Sequence, residues 1–94
     1  MKSLIWTPAA ELDLAAIDDH FWAIDPLIAE VIVERIKQAA EALRPHPMIG
    51  PTLRIRPARK WSVRLISHVL IYRVGEDAVE ILRVHHARED WRAE

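Results

Sequence analysis

Apolar residues recur at steps of four and three over Ala10, Leu14, Ile17, Phe21 and Ile24, the spacing of one helical face. Thr7-Pro8 stands just before this stripe. Threonine is a good N-cap, and proline at the first helical position loses no hydrogen bond. Pro26 disfavours helical geometry at Asp25, so this helix should stop by about Ile24. Asp25-Pro26 repeats the cap-plus-proline device, and Ile28, Ile32, Ile36, Ala39 and Leu43 form a second stripe. A connection this short requires the two helices to fold back as an antiparallel hairpin. Pro45 and Pro47 end the second helix, and Gly50-Pro51 closes a loop.

Period-two patterns take over elsewhere. Ser3–Trp6 reads as a short first strand. Leu53–Arg56 and Trp61–Ile66 alternate as strands, and Ser67-His68 supplies a tight turn. Val69–Val74 is rich in β-branched and aromatic types. Gly75-Glu76-Asp77 is a turn signal, and Val79–His85 completes a hairpin. The expected fold is one α+β domain over residues 1–94, in the order β-α-α-β-β-β. A helical hairpin packs on a small, mainly antiparallel sheet, and a short polar tail follows.

Charge sharpens this picture. The net value of −1 conceals an acidic half, residues 1–43 at −5, and a basic half, residues 44–94 at +4. No acid stands between Glu41 and Glu76, whereas seven Arg and Lys residues do. Such a segment creates a local positive field suited to an anionic or acidic partner. Cysteine is absent, which excludes disulfides and thiolate metal sites and fits a reducing cytoplasm. The start of the chain lacks the pattern of a signal peptide, and no apolar run is long enough to cross a bilayer.

Several stretches resemble the RelE/ParE superfamily, the toxins of type II toxin–antitoxin systems. Arg35–Leu43 followed by Pro45 is similar to the family's second helix and its exit. More specific are Tyr72-Arg73-Val74, the turn, then Val79-Glu80-Ile81-Leu82-Arg83-Val84 and the ending His85-His86-Ala87-Arg88, which resemble the ParE branch. The resemblance implies one of two activities. ParE-type members inhibit DNA gyrase and trap it on broken DNA, without nuclease chemistry. RelE-type members cleave mRNA on the ribosome. Both are neutralised by a cognate antitoxin that covers apolar helix and sheet surfaces.

Metal-free RNA cleavage needs a base, an acid and cations converging on one phosphate. Strict alternation along the last strand puts Ile81, Arg83 and His85 on one face, and Leu82 and Val84 on the helix-packed face. Arg64, Arg83 and His85 are therefore the candidate catalytic set of the nuclease alternative. Two features depart from the RelE pattern. Val69-Leu70-Ile71 offers no early arginine, and Trp91 in the tail cannot exchange protons. They favour gyrase as the target, with Arg83, His86, Arg88 and Trp91 as the contact surface. Arg54, Arg56, Arg59 and Lys60 form a second candidate patch.

Other features carry less. His85-His86 point to opposite strand faces and no cysteine joins them, so neither a metal nor a cofactor is expected. His20 and His68 are read as surface or rim residues, Trp6 and Trp61 as packing, and Tyr72 as core with its hydroxyl bonded. A nucleic-acid-binding module without toxicity is the competitor from another class. The acidic hairpin argues against the chain wrapping DNA directly, without an antitoxin. With 51% hydrophobic residues, so small a domain should leave apolar surface for a partner to cover.

Overall fold

The computed structural model describes residues 1–54 and 57–88. The elements are β1 (Ser3–Trp6), α1 (Pro8–Trp22), α2 (Pro26–Ala42), β2 (Arg59–Ser62), β3 (His68–Val74) and β4 (Ala78–His86). This is the expected α+β order. Both helices start where capping chemistry places them. The Thr7 hydroxyl accepts from Ala10 N at 3.2 Å and the Asp25 carboxylate from Leu27 N at 2.9 Å, with Pro8 and Pro26 opening the helices. The first helix ends at Trp22, two residues before the limit set by Pro26.

The four strands lie in the order β1-β4-β3-β2. β4 pairs antiparallel with β3 and parallel with β1, and β2 pairs antiparallel with β3. The parallel pair requires a crossover, and the helical hairpin lies within it. Leu70, Tyr72, Val79, Ile81 and Val84 from the sheet pack with Ala10, Ile36, Ala40 and Leu43 from the helical side in the main core. A smaller cluster, Ala58, Val69 and Ile71 with Leu53 and Leu82, lies on the other sheet face.

Two expectations from alternation fail. First, Leu53 and Arg54 belong to no strand, and Thr52 makes only an isolated bridge to Arg59. β2 begins at Arg59 and stops at Ser62, so the reversal spans residues 63–67 and His68 already belongs to β3. Leu65, in that reversal, takes φ of 70°, a left-handed conformation that no glycine signalled. Second, Ile71 pairs with Arg83 while Tyr72 pairs with Ile81, so Leu82 is the extra residue of a β-bulge. One added residue inverts the faces before it relative to those after it. Ile81 is therefore buried against the helices and Leu82 packs on the opposite face, the reverse of strict alternation; Val84 does face the helices as expected.

Candidate functional site

The bulge shapes the basic end of the sheet. β1 ends at Trp6 opposite Ile81, and among the described residues no strand borders the outer edge of β4 beyond that point. α1 covers it. The Thr7 hydroxyl lies 2.8 Å from Ile81 O and 3.0 Å from Leu82 O, so it bonds back to the sheet at the bulge. Further along α1, Asp13 Oδ2 accepts the Val84 N–H at 2.9 Å, in the place of a ladder partner. The same carboxylate holds Arg83, with Nε 2.7 Å from Oδ2 and Nη2 3.0 Å from Oδ1. This is the bidentate geometry that fixes a guanidinium in orientation as well as in charge. Asp13 was absent from the sequence-derived candidates. Its signal was its spacing, three residues after Ala10 and four before Ile17, on the edge of the buried stripe.

Arg83 is thus anchored at the seam between α1 and β4. Its expected neighbours are distributed differently. His85 pairs with Val69 on the sheet face away from the helices, as expected, but it is only 3% exposed and not open there. Arg64 is exposed in the 63–67 reversal. The Arg64, Arg83 and His85 set therefore does not present its histidine at an open surface. His86 is half-buried, and its Nδ1 accepts the Arg88 N–H at 3.1 Å; Arg88 itself is exposed. Trp91 lies outside the described residues.

The second basic patch also divides. Arg59 serves the fold, because its Nη1 donates to Gly50 O at 2.7 Å and to Met48 O at 3.2 Å. Arg54 is exposed and Lys60 is half-buried, while Arg56 lies outside the described residues. Beneath the same loop Tyr72 is fully buried. Its hydroxyl donates to Pro47 O at 2.8 Å and accepts from Gly50 N at 2.9 Å. Burial raises its pKa above the ordinary phenol value, against the lowering effects of the Gly50 N–H and the Arg59 charge. Tyr72 is a core residue with its hydroxyl bonded, as the sequence suggested.

His68 departs from its expected rim position. It is 6% exposed and pairs across the strands with His86, their ring centroids 5.4 Å apart. Phe21 of α1 contacts His68 edge-on at 6.3 Å, and His20 contacts Phe21 at 4.9 Å. Together with Asp13, Ile17, Arg83 and Val84, these rings line a cleft of about 350 Å³ between α1 and the ends of β3 and β4. On the outer side of the hairpin, Trp22, Ile24, Leu27, Ile28 and Val31 are exposed. Asp18, Glu30 and Glu34 flank a shallow groove there together with Lys37.

Known proteins share this architecture. A family profile described as the ParE toxin of the type II toxin-antitoxin system parDE matches residues 4–91. A curated protein named Toxin RelE2, from Caulobacter vibrioides, is 33% identical over 88 residues, covering 93% of this chain and 97% of its own. A chain of the chromosomal ParDE TA system from P. aeruginosa superposes with a TM-score of 0.83 at 26% identity, over 94% of this chain and 98% of that one. A chain of the RelBE2 toxin-antitoxin complex from Mycobacterium tuberculosis gives 0.63, also at 26% identity, over 90% and 96%.

Proposed function

The chain belongs to the ParE toxin family of type II toxin–antitoxin systems, and from that premise we propose that it inhibits DNA gyrase and is neutralised by a cognate antitoxin. The observation that carries the choice of target is the burial of His85. A metal-free nuclease needs a proton-transferring group that reaches the phosphodiester. Here the candidate base is only 3% exposed, and the candidate cation Arg83 is bound to Asp13. A gyrase contact makes a different demand. It needs a fixed cationic surface, which Arg83 and exposed Arg88 supply at one end of the sheet, with His86 beside them.

The antitoxin half of the proposal draws on the two solved neighbours, one from a ParDE system and one from a RelBE2 toxin-antitoxin complex. It also draws on the exposed apolar hairpin surface. We place the antitoxin over Trp22, Ile24, Leu27, Ile28 and Val31, with an extended segment along a sheet edge.

A second reading, ribosome-dependent mRNA cleavage, is favoured by the relative named Toxin RelE2. A supercoiling assay with purified protein separates the two. Loss of gyrase supercoiling with accumulation of cleaved DNA is expected. An unaffected gyrase, together with new mRNA ends in a translation extract, would reverse the assignment.

A further inference from the structure

Leu65, in the 63–67 reversal, combines a left-handed backbone with an outward side chain: its φ is 70° and it is 74% exposed. Glycine, asparagine or aspartate take that backbone with less strain, so the turn by itself favours any of them over leucine. A strained residue with little packing of its own points to a task outside the fold. We propose that Leu65 is the apolar anchor with which the toxin seats on DNA gyrase, flanked by Arg64 and Arg88. This anchor rests on the gyrase reading above and adds to it the side chain that enters the target.

The reversal is rooted in the core on both sides of its tip. Val63 is 3% exposed and belongs to the main core, and Ile66 packs against that core. The Val63 N–H donates to His68 O at 2.8 Å and closes the turn. Between these roots Arg64 and Leu65 are both exposed. A side chain displayed on a fixed backbone loses little freedom when a partner takes it up. The tip also continues the surface proposed for gyrase. The Ala87 N–H donates to Ser67 O at 2.8 Å and His68 pairs with His86, which ties the reversal to the end of β4 just before Arg88.

Charge separates this surface from the one proposed for the antitoxin. The hairpin patch is flanked by Asp18, Glu30 and Glu34, whereas exposed Arg64 and Arg88 stand at the tip and just beyond β4. The matching site on gyrase is an apolar recess with acidic side chains at its edge. There the leucine supplies the desolvated contact and the arginines set its orientation. A phosphate backbone, by contrast, engages cations and offers an aliphatic side chain little, so the partner is protein and not bare DNA.

Inhibition of gyrase supercoiling by the purified protein and its Leu65 variants tests the anchor. Leu65→Asn and Leu65→Gly both remove the apolar side chain and suit the left-handed turn, so both should melt no lower than the parent protein. Each should need at least about tenfold more protein for half-inhibition, the loss expected when one buried leucine leaves an interface. Leu65→Met keeps an apolar chain of similar volume and should stay within about threefold of the parent. All three should bind the cognate antitoxin as the parent does. Undiminished inhibition by Leu65→Asn and Leu65→Gly would overturn the anchor and leave the gyrase reading intact. An equal loss in Leu65→Met, or a lower melting temperature in the other two, would overturn it by showing that Leu65 serves the turn. Lost antitoxin affinity with inhibition retained would make the antitoxin the occupant instead. A parent protein that leaves gyrase unaffected would overturn the gyrase reading and the anchor with it.

Discussion

Asp13 and Arg83 face each other across the seam between α1 and β4, their two hydrogen bonds of 2.7 and 3.0 Å joining residues seventy positions apart. The pair sits where β1 has ended, and the carboxylate also takes the Val84 N–H. Asp13 thus carries out two tasks that a mutation can separate. Asp13→Ala should cost about 2 kcal/mol, because it leaves a backbone donor and a half-buried guanidinium without their acceptor. Arg83→Ala should cost less, about 1 kcal/mol, because Asp13 can still cap Val84. Denaturant melts of both single variants and the double variant measure this. Equal costs for the two single changes would show that the backbone cap contributes nothing.

Tyr72 and Gly50 make the second test. A Cβ at Gly50 would lie 2.3 Å from Lys60 O and 2.7 Å from the Tyr72 hydroxyl, so the glycine is required by close approach. Gly50→Ala should destabilise by about 2 kcal/mol or more, with the backbone of β2 forced to move. Tyr72→Phe should cost about 1–3 kcal/mol, since the Gly50 N–H loses its acceptor in a buried site. Thermal melts of the two variants check both figures.

The same hydroxyl gives an alkaline prediction. Burial raises the folded pKa of Tyr72, so the native state holds the phenol proton more tightly than the unfolded chain does. That contribution is fully present below the ordinary phenol range, near about pH 10, and is lost as pH rises through the folded value. Tyr72 is the single tyrosine, so phenolate absorbance reports on it alone. Absorbance should rise later in the native protein than in denaturant. Stability should fall above about pH 10 in the parent protein and less steeply in Tyr72→Phe.

The places where sequence reading succeeded and failed follow from one physical difference. Capping and periodicity are local, so Thr7-Pro8, Asp25-Pro26 and the stripes through Ala10 and Ile36 announced both helices. The β3–β4 hairpin was legible for the same reason, through Gly75 and its flanking β-branched residues. Leu82 carries no local mark of a bulge, yet the bulge decides which way Ile81 and Leu82 are set relative to the helices. The 63–67 reversal was hidden because Leu65 stands where glycine or asparagine would have signalled φ above zero. Arg83, His86 and Arg88 do stand together at this end of the sheet, while their partners and burial could not be read from alternation.

Leu65 itself supplies a prediction of opposite sign. Its φ of 70° costs a non-glycine residue about 1 kcal/mol, and its side chain is 74% exposed, so little packing is at stake. Leu65→Gly should raise stability by about 0.5–1 kcal/mol, the relieved strain exceeding the added freedom of the unfolded chain. A lower melting temperature in this variant would mean that Leu65 packs against something the turn geometry does not reveal.

The antitoxin surface can be tested without disturbing the fold. Leu27 is 71% exposed at the start of α2, with Trp22 at 61% just across the hairpin bend. Single exposed leucines are ordinary on protein surfaces, but five large apolar residues between positions 22 and 31 are exposed around this bend. Asp18, Glu30 and Glu34 beside it would complement a partner helix with basic residues flanking its apolar face. Leu27→Glu should leave the melting temperature nearly unchanged, because the side chain supports no core. It should weaken antitoxin binding at least about tenfold, since it buries an unpaired charge at the centre of the contact. Calorimetric titration with the cognate antitoxin measures the loss. Unchanged affinity with an unchanged fold would remove the hairpin from the interface and leave the sheet edges as the surface the antitoxin covers.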